Sequence, residues 1–256
     1  MFYFERLGPS SFRASEHVGG AWNAAEQHIA PALGLIAHVI ECDHAARRDD
    51  LLRIARLSYD ILGTLPIDVV EVEVSVLRPG RTIELVEARL AHDGRTAVVA
   101  RAWLLKAYDT TAVAGTAFPA IPPLETMTPW QVGETWPGGF VRSVDVRRAA
   151  LAKGRAISWV RSDLALVAGE EVSTTARALG IVDIANGLAT REAPNVVAFP
   201  NVDLTVNLFA EPQGPWLGFD TTVSFGANGI GLTSSSLHDH TGPIGTVSQC
   251  LTIRSR

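Results

Sequence analysis

Residues Ile67 to Leu77 read IDVVEVEVSVL, with Val70, Val72, Val74 and Val76 on one parity and Glu71, Glu73 and Ser75 on the other. A period of two predicts a half-buried antiparallel strand. Arg78-Pro79-Gly80 signals a turn. A second strand is expected over about residues 82–91 and a third over about 96–106, joined at the hairpin dipeptide Asp93-Gly94. Ahead of this meander, the segment WNAAEQHIAPALGLIAHVIECDHAARR from Trp22 is dominated by Ala, Leu and Ile. It predicts a helix over about 31–41, with Pro31 in the first turn. Apolar groups lie nearly all round it, as suits a helix wrapped by a sheet.

The pattern then breaks. Residues 107–139 carry Pro119, Pro122, Pro123, Pro129 and Pro137 among many Thr and Gly, which reads as a linker of limited flexibility. The expected division is an N-terminal domain over 1–110, a Pro-rich linker over 111–139 and a C-terminal domain over 140–256. In the second part VRSVDV and residues 156–164 read as strands and 173–189 as a helix. Further strands follow near 201–210, 216–225, 230–238 and 244–254. The halves echo one another. Ala32-Leu33-Gly34-Leu35-Ile36 matches Ala178-Leu179-Gly180-Ile181-Val182 at a separation of 146, which Pro66 and Pro212 keep. With a two-residue slip, His92, Gly94 and Val99 face His240, Gly242 and Val247. Two copies of helix-then-meander, set side by side, would pair into one long sheet with both helices on one face, an α+β architecture.

Composition narrows the function. Nearly half of the 256 residues are apolar, enough for a sizeable core, and the formal charge of −5 argues against a nucleic-acid surface. Cys42 and Cys250 form no CxxC pair and no zinc-type spacing, so a reducing compartment and no disulfide framework are expected. The N-terminal MFYFERLGPSSFRASE lacks the pattern of a signal peptide, and no apolar run approaches the roughly 20 residues of a membrane span. The expectation is a cytoplasmic protein.

Three late segments carry a resemblance: NVDLTVNLFAEP, WLGFDTTVSFGANGIG and GTVSQCLTIR. Asp203 opens a strand ending near Pro212. Trp216-Leu217 opens the next, with a hydroxyl residue eight positions after the Trp, and Gln249 stands five residues before Arg254. Together these segments resemble the C-terminal half of the type II acyl-CoA thioesterases, which are double hotdog proteins. The resemblance implies two tandem hotdog domains, antiparallel sheets each wrapping a helix. In that family an Asp, a Thr and a Gln orient the hydrolytic water, and by position these fall on Asp203, Ser224 and Gln249. Ser replaces Thr here, and Leu204 stands where the family commonly has His. Association into a dimer or larger is also implied.

The chemistry is consistent with that set. A thioester is an activated acyl group, so hydrolysis needs a held water, a group to take its proton and donors for the oxyanion, for which N–H groups at a helix start are candidates. No metal or cofactor is required, and none is expected. Gln249 shares strand parity with Val247 and Leu251, so it should face inward and need partners. In the repeat alignment Leu57, Val76 and Arg101 take the places of Asp203, Ser224 and Gln249, which makes the N-terminal half structural.

Other candidates read more plainly. Asp183 and Asn186 on the second helix either face an acyl pocket or serve capping and packing, the latter being the simpler reading. His238 and His240 flank Asp239 in a turn more in keeping with a solvated loop than a metal site. His17 lies before the first helix, where a pocket entrance could form. The basic group Arg142, Arg147, Arg148, Lys153 and Arg155 reads as a solvated face, with CoA phosphates as the alternative. No GxSxG elbow or Gly-rich phosphate loop occurs. The expected activity is hydrolysis of acyl-CoA to free acid and CoA. The rivals are an enoyl-thioester hydratase or dehydratase, which needs an Asp and a His together near a hotdog helix, and a non-catalytic acyl-binding module.

Overall fold

A computed structural model describes residues 1–256. The N-terminal half runs β1 (Phe2–Arg6), β2 (Ser11–Ala14), α1 (Ile29–Arg47), β3 (Arg53–Ile61), β4 (Val69–Arg78), β5 (Ile83–His92) and β6 (Arg95–Leu105). The rest runs β7 (Thr128–Pro129), α2 (Gly139–Arg142), β8 (Val144–Ala152), β9 (Arg155–Ser162) and β10 (Ala165–Val167). It continues with α3 (Thr174–Leu179), α4 (Ala185–Leu188), β11 (Val197–Ala198), β12 (Asp203–Leu208), β13 (Leu217–Phe225), β14 (Ile230–Asp239), β15 (Gly242–Thr252) and β16 (Arg254–Ser255).

Fourteen strands form one sheet in the order β10-β1-β2-β4-β5-β6-β3-β12-β15-β14-β13-β9-β8-β7. The halves meet where β3 pairs antiparallel with β12, Leu57 opposite Val206 and Tyr59 opposite Leu204. These four side chains are all buried and face the interior. β5 and β6 are matched in length by β14 and β15, each 147 residues later. The strand repeat is therefore 147 throughout, one residue away from both offsets used in the sequence alignment. Arg56, Leu77 and Ala102, rather than Leu57, Val76 and Arg101, are the repeat equivalents of Asp203, Ser224 and Gln249.

The expected meanders are present, with ends moved by one or two residues. Asp93 and Gly94 both have positive φ (48° and 71°), the backbone of a type I′ hairpin turn. Val70 and Val72 are buried, while Val74 and Val76 are only half-buried. The strands β1, β2 and β3 lie outside that expectation: β1 and β2 are only five and four residues long, and the alternation of β3 is confined to residues 56–61. α1 runs on to Arg47, past the predicted end near 41. Its polar last turns are held by Glu84 of β5, a buried carboxylate that binds His44 Nδ1 at 3.0 Å and Arg47 Nη2 at 2.8 Å. The helix expected over 173–189 is interrupted. Ser173 Oγ caps α3 by accepting from Ala176 N, the chain leaves the helix at Gly180, and a 3₁₀ turn at Val182–Ile184 leads into α4. VRSVDV begins as the end of α2 rather than as strand.

The matched glycines of the repeat meet in space. A Cβ on Gly34 would lie 2.7 Å from Gly180 Cα and 2.8 Å from Ala176 O, so α1 and α3 cross in backbone contact. At the adjacent residue, Tyr59 Oη donates to Leu33 O at 3.1 Å and ties the seam strand to the crossing. A single cluster of 56 buried apolar residues draws on both halves. Between them, the Pro-rich segment lies on the outer face of the C-terminal sheet, where Trp159 Nε1 donates to Pro122 O and His238 Nε2 lies 3.1 Å from Pro119 O.

Gly34→Ala forces a methyl into that crossing. It is expected to lower stability by about 1–3 kcal/mol, read as a shift in the urea midpoint with an unchanged slope.

Candidate active site

The break in the second helix turns Asp183 toward the seam. The residue is 4% exposed. Oδ1 accepts from Asn201 Nδ2 at 2.7 Å and from Gln249 Nε2 at 2.9 Å. Asn201 Nδ2 also donates to Asp203 O at 3.1 Å, and Gln249 Nε2 lies 3.3 Å from Asp183 O. Two amides thus hold one carboxylate oxygen and leave Oδ2 facing away from them. Gln249 Oε1 is buried without a partner. Burial raises the Asp183 pKa from 3.8 to about 7, against the lowering effect of the two amide hydrogen bonds.

His28 faces this group from the other half. Its Nδ1 lies 3.8 Å from Asp183 Oδ2. This is not an ion pair. His28 caps α1 by accepting the Ala30 N–H on Nδ1 at 3.1 Å, so that nitrogen has no proton for Asp183. Burial also pushes the imidazole down to about 3, leaving it neutral. Its ring packs on Phe140 at a centroid distance of 4.3 Å.

Asp183 and Asn201 line a cavity of about 140 Å³ between the halves, beside His28 and Ile29 at the start of α1. One wall is aromatic: Trp22 packs edge-on against Trp136 and Phe199, at 4.9 and 5.1 Å between ring centroids. The other wall is polar, with Glu26, Gln27 and Thr64. At the α1 start, His28 N donates to Val18 O, Ala30 N to His28 Nδ1, and Pro31 has no N–H. The Ile29 N–H, at the same end, has no hydrogen-bond partner.

Of the residues expected from sequence, only Gln249 belongs to this cluster. Asp203 and Ser224 do not converge with it. The Asp203 carboxylate accepts from Cys250 N at 2.6 Å and ties β12 to β15. Ser224 is exposed on β13, pointing away from the buried Val223 face. Asp183, set aside as a packing residue, is the centre of the cluster, and Asn201 was not singled out. The available signals were an acidic residue inside an apolar helix and a polar residue just ahead of β12. Asp183's partners are 18 and 66 residues away, so spacing could not join them. At the related place in the N-terminal half, Ala37 and Ala102 replace Asp183 and Gln249. Nearby, His38 Nε2 and Arg6 Nε bind Glu170 at 2.8 and 2.6 Å, an ion cluster that holds the Glu170 carboxyl down at about 2. No group of three His, Cys, Asp or Glu side chains could hold a metal ion, both cysteines are free, and no helix is long and apolar enough to cross a membrane.

The raised Asp183 pKa favours the protonated fold, so stability is lost as pH rises from about 4 to about 7. Asp183→Asn removes this loss. The variant is expected to gain up to about 4 kcal/mol above neutral pH and little near pH ~4, measured by urea unfolding at both values.

Comparison with known proteins agrees with this architecture. Residues 18–105 match the acyl-CoA thioesterase N-terminal domain, and residues 119–253 match the acyl-CoA thioesterase C-terminal domain. No curated protein sequence matches. Among solved structures, the chain is similar to a hot dog fold protein of unknown function from Alicyclobacillus acidocaldarius (TM-score 0.77, 13% identity, 99% of this chain and 96% of that one). It is also similar to a tesB protein of Mycobacterium avium subsp. paratuberculosis (0.69, 18%, 98% and 95%) and to the acyl-CoA thioesterase II TesB2 of Mycobacterium marinum (0.66, 15%, 99% and 95%). With both family domains in tandem and the matching double hotdog fold, the chain belongs to the acyl-CoA thioesterase family.

Proposed function

We propose that acyl-CoA is hydrolysed at Asp183, with Asn201 and Gln249 as its partners. The observation that carries this reading is the buried carboxylate with one oxygen held by two amides and the other left for a water. Asp183 Oδ2 takes a proton from water as the water oxygen bonds to the thioester carbonyl carbon. The Asn201 side-chain oxygen, which has no protein partner, accepts the water's second O–H. Gln249 is a positioning residue, since it reaches the reaction through Asp183. The oxyanion meets the Ile29 N–H at the positive end of the 19-residue α1. Collapse breaks the carbon–sulfur bond, and the proton on Asp183 passes to the departing thiolate.

A carboxylate with pKa about 7 is half in its basic form near neutrality, where a general base works best. kcat/KM is expected to rise with pH through a limb near 7 and to level off above it. Asp183→Asn should lower kcat by about 10²–10⁴-fold, whereas Ser224→Ala should change it less than about twofold. Thiol release from acyl-CoA of several chain lengths measures both. No release with any chain length would contradict the reading.

One observation favours a second reading. His28 brings an imidazole to Asp183 from the other half, the pairing that hydration of an enoyl thioester requires. A His with pKa about 3 is a weak base, which favours hydrolysis. Water addition to crotonyl-CoA without thiol release would reverse that preference.

A further inference from the structure

The polar wall of the cavity does not end at the cavity. Glu26, Thr64 and Leu65 also line a groove of about 280 Å³ that continues outward to His92 and Arg95 at the β5–β6 hairpin. Arg95 is exposed and has no ion pair or hydrogen bond within the protein, unlike Arg89 and Arg101, which both bind Glu87. Its guanidinium rests on the cavity lip: Nη2 lies 3.4 Å from where a Cβ on Gly63 would be, and Gly63 lines the cavity that holds Asp183. The charges facing the groove include Glu26 on its wall and Asp93, whose Oδ2 is 3.5 Å from His92 Nε2.

The inner end of the same wall carries an unanswered acceptor. Gln27 is 7% exposed; its Nε2 donates to Pro66 O at 2.7 Å, which fixes the amide orientation, and its Oε1 has no partner. A buried acceptor left unpaired costs stability, and because the atom has almost no accessible surface a ligand N–H reaches it only with a small movement of the Gln27 side chain. The opposite wall is aromatic.

We propose that the groove from Gln27 to Arg95 binds the phosphate-bearing arm of the thiol carrier, with an amide N–H on Gln27 Oε1 and a phosphate on Arg95, while the acyl chain lies along Trp22 and Trp136. This rests on the hydrolase reading, because it places the thioester at Asp183 between the two arms. The chemistry recognised is a pantetheine amide followed by a phosphate ester. An exposed, unpaired guanidinium is suited to a phosphate because its fork matches two phosphate oxygens.

Equilibrium binding of CoA, 4′-phosphopantetheine and pantetheine to the full chain and to Arg95→Ala tests the site without turnover. The expected result is a CoA affinity about tenfold weaker in the variant, with pantetheine affected less. An equal loss for 4′-phosphopantetheine places the 4′-phosphate on Arg95; a loss confined to CoA places the nucleotide phosphates there. CoA affinity equal in wild type and Arg95→Ala, or an equal loss for pantetheine, overturns the proposal. Thiol release from an acyl-pantetheine thioester is measured alongside. A chain that binds CoA through Arg95 but releases no thiol keeps this site and loses the hydrolase reading.

Discussion

Asp183 is an ionisable group in an apolar interior, and two amides keep it there. Burial alone would neutralise the carboxyl, while the Asn201 and Gln249 hydrogen bonds favour its charged form. The balance leaves a carboxylate that titrates near neutrality instead of near 4. Each element of the balance comes from a different part of the chain. The broken helix after Gly180 supplies Asp183, the approach to β12 supplies Asn201, and the inward face of β15 supplies Gln249. All three lie in the C-terminal half, so a shift in the seam between the halves would leave these contacts in place and change the 3.8 Å separation between His28 Nδ1 and Asp183 Oδ2.

The duplicated architecture accounts for that seam. β3 and β12 pair antiparallel, α1 and α3 cross through Gly34 and Gly180, and the start of α1 faces the break in the second helix. The cluster and its cavity are therefore built where both halves meet. The C-terminal half provides the carboxylate and its amides; the N-terminal half provides His28 and the free Ile29 N–H. At the related position Ala37 and Ala102 leave no polar group to hold a water. Backbone contact at two glycines trades conformational entropy for proximity, since any side chain there would separate the helices.

Much of the fold was legible in the chain. The alternation at Val70–Val76, the Asp93-Gly94 turn and the repeated Ala-Leu-Gly triplet led to meanders, hairpins and a tandem α+β arrangement that the structure contains. The seam strand β3 carried a short signal that was passed over: Leu57, Tyr59 and Ile61 alternate with Arg56, Ser58 and Asp60, but only over six residues. Of the cluster around Asp183, the inward-facing Gln249 was legible, through strand parity. Asp203 was indicated by its position in the family resemblance, at the start of a strand, yet its carboxylate accepts from Cys250 N. Ser224 was placed by spacing from Trp216, which cannot tell one sheet face from the other; its neighbour Val223 is the inward residue. Asp183 was recognised as unusual in its helix, but its meaning depends on partners that only the tertiary fold brings near.

The most direct measurement is a pH titration of the Asp183 side-chain carboxyl carbon by NMR, assigned by its loss in Asp183→Asn. The account predicts a midpoint near 7, coincident with the kinetic limb. A midpoint near 4, the ordinary range of an aspartate, would mean that the carboxyl is solvated rather than held in the interior, and would contradict the account.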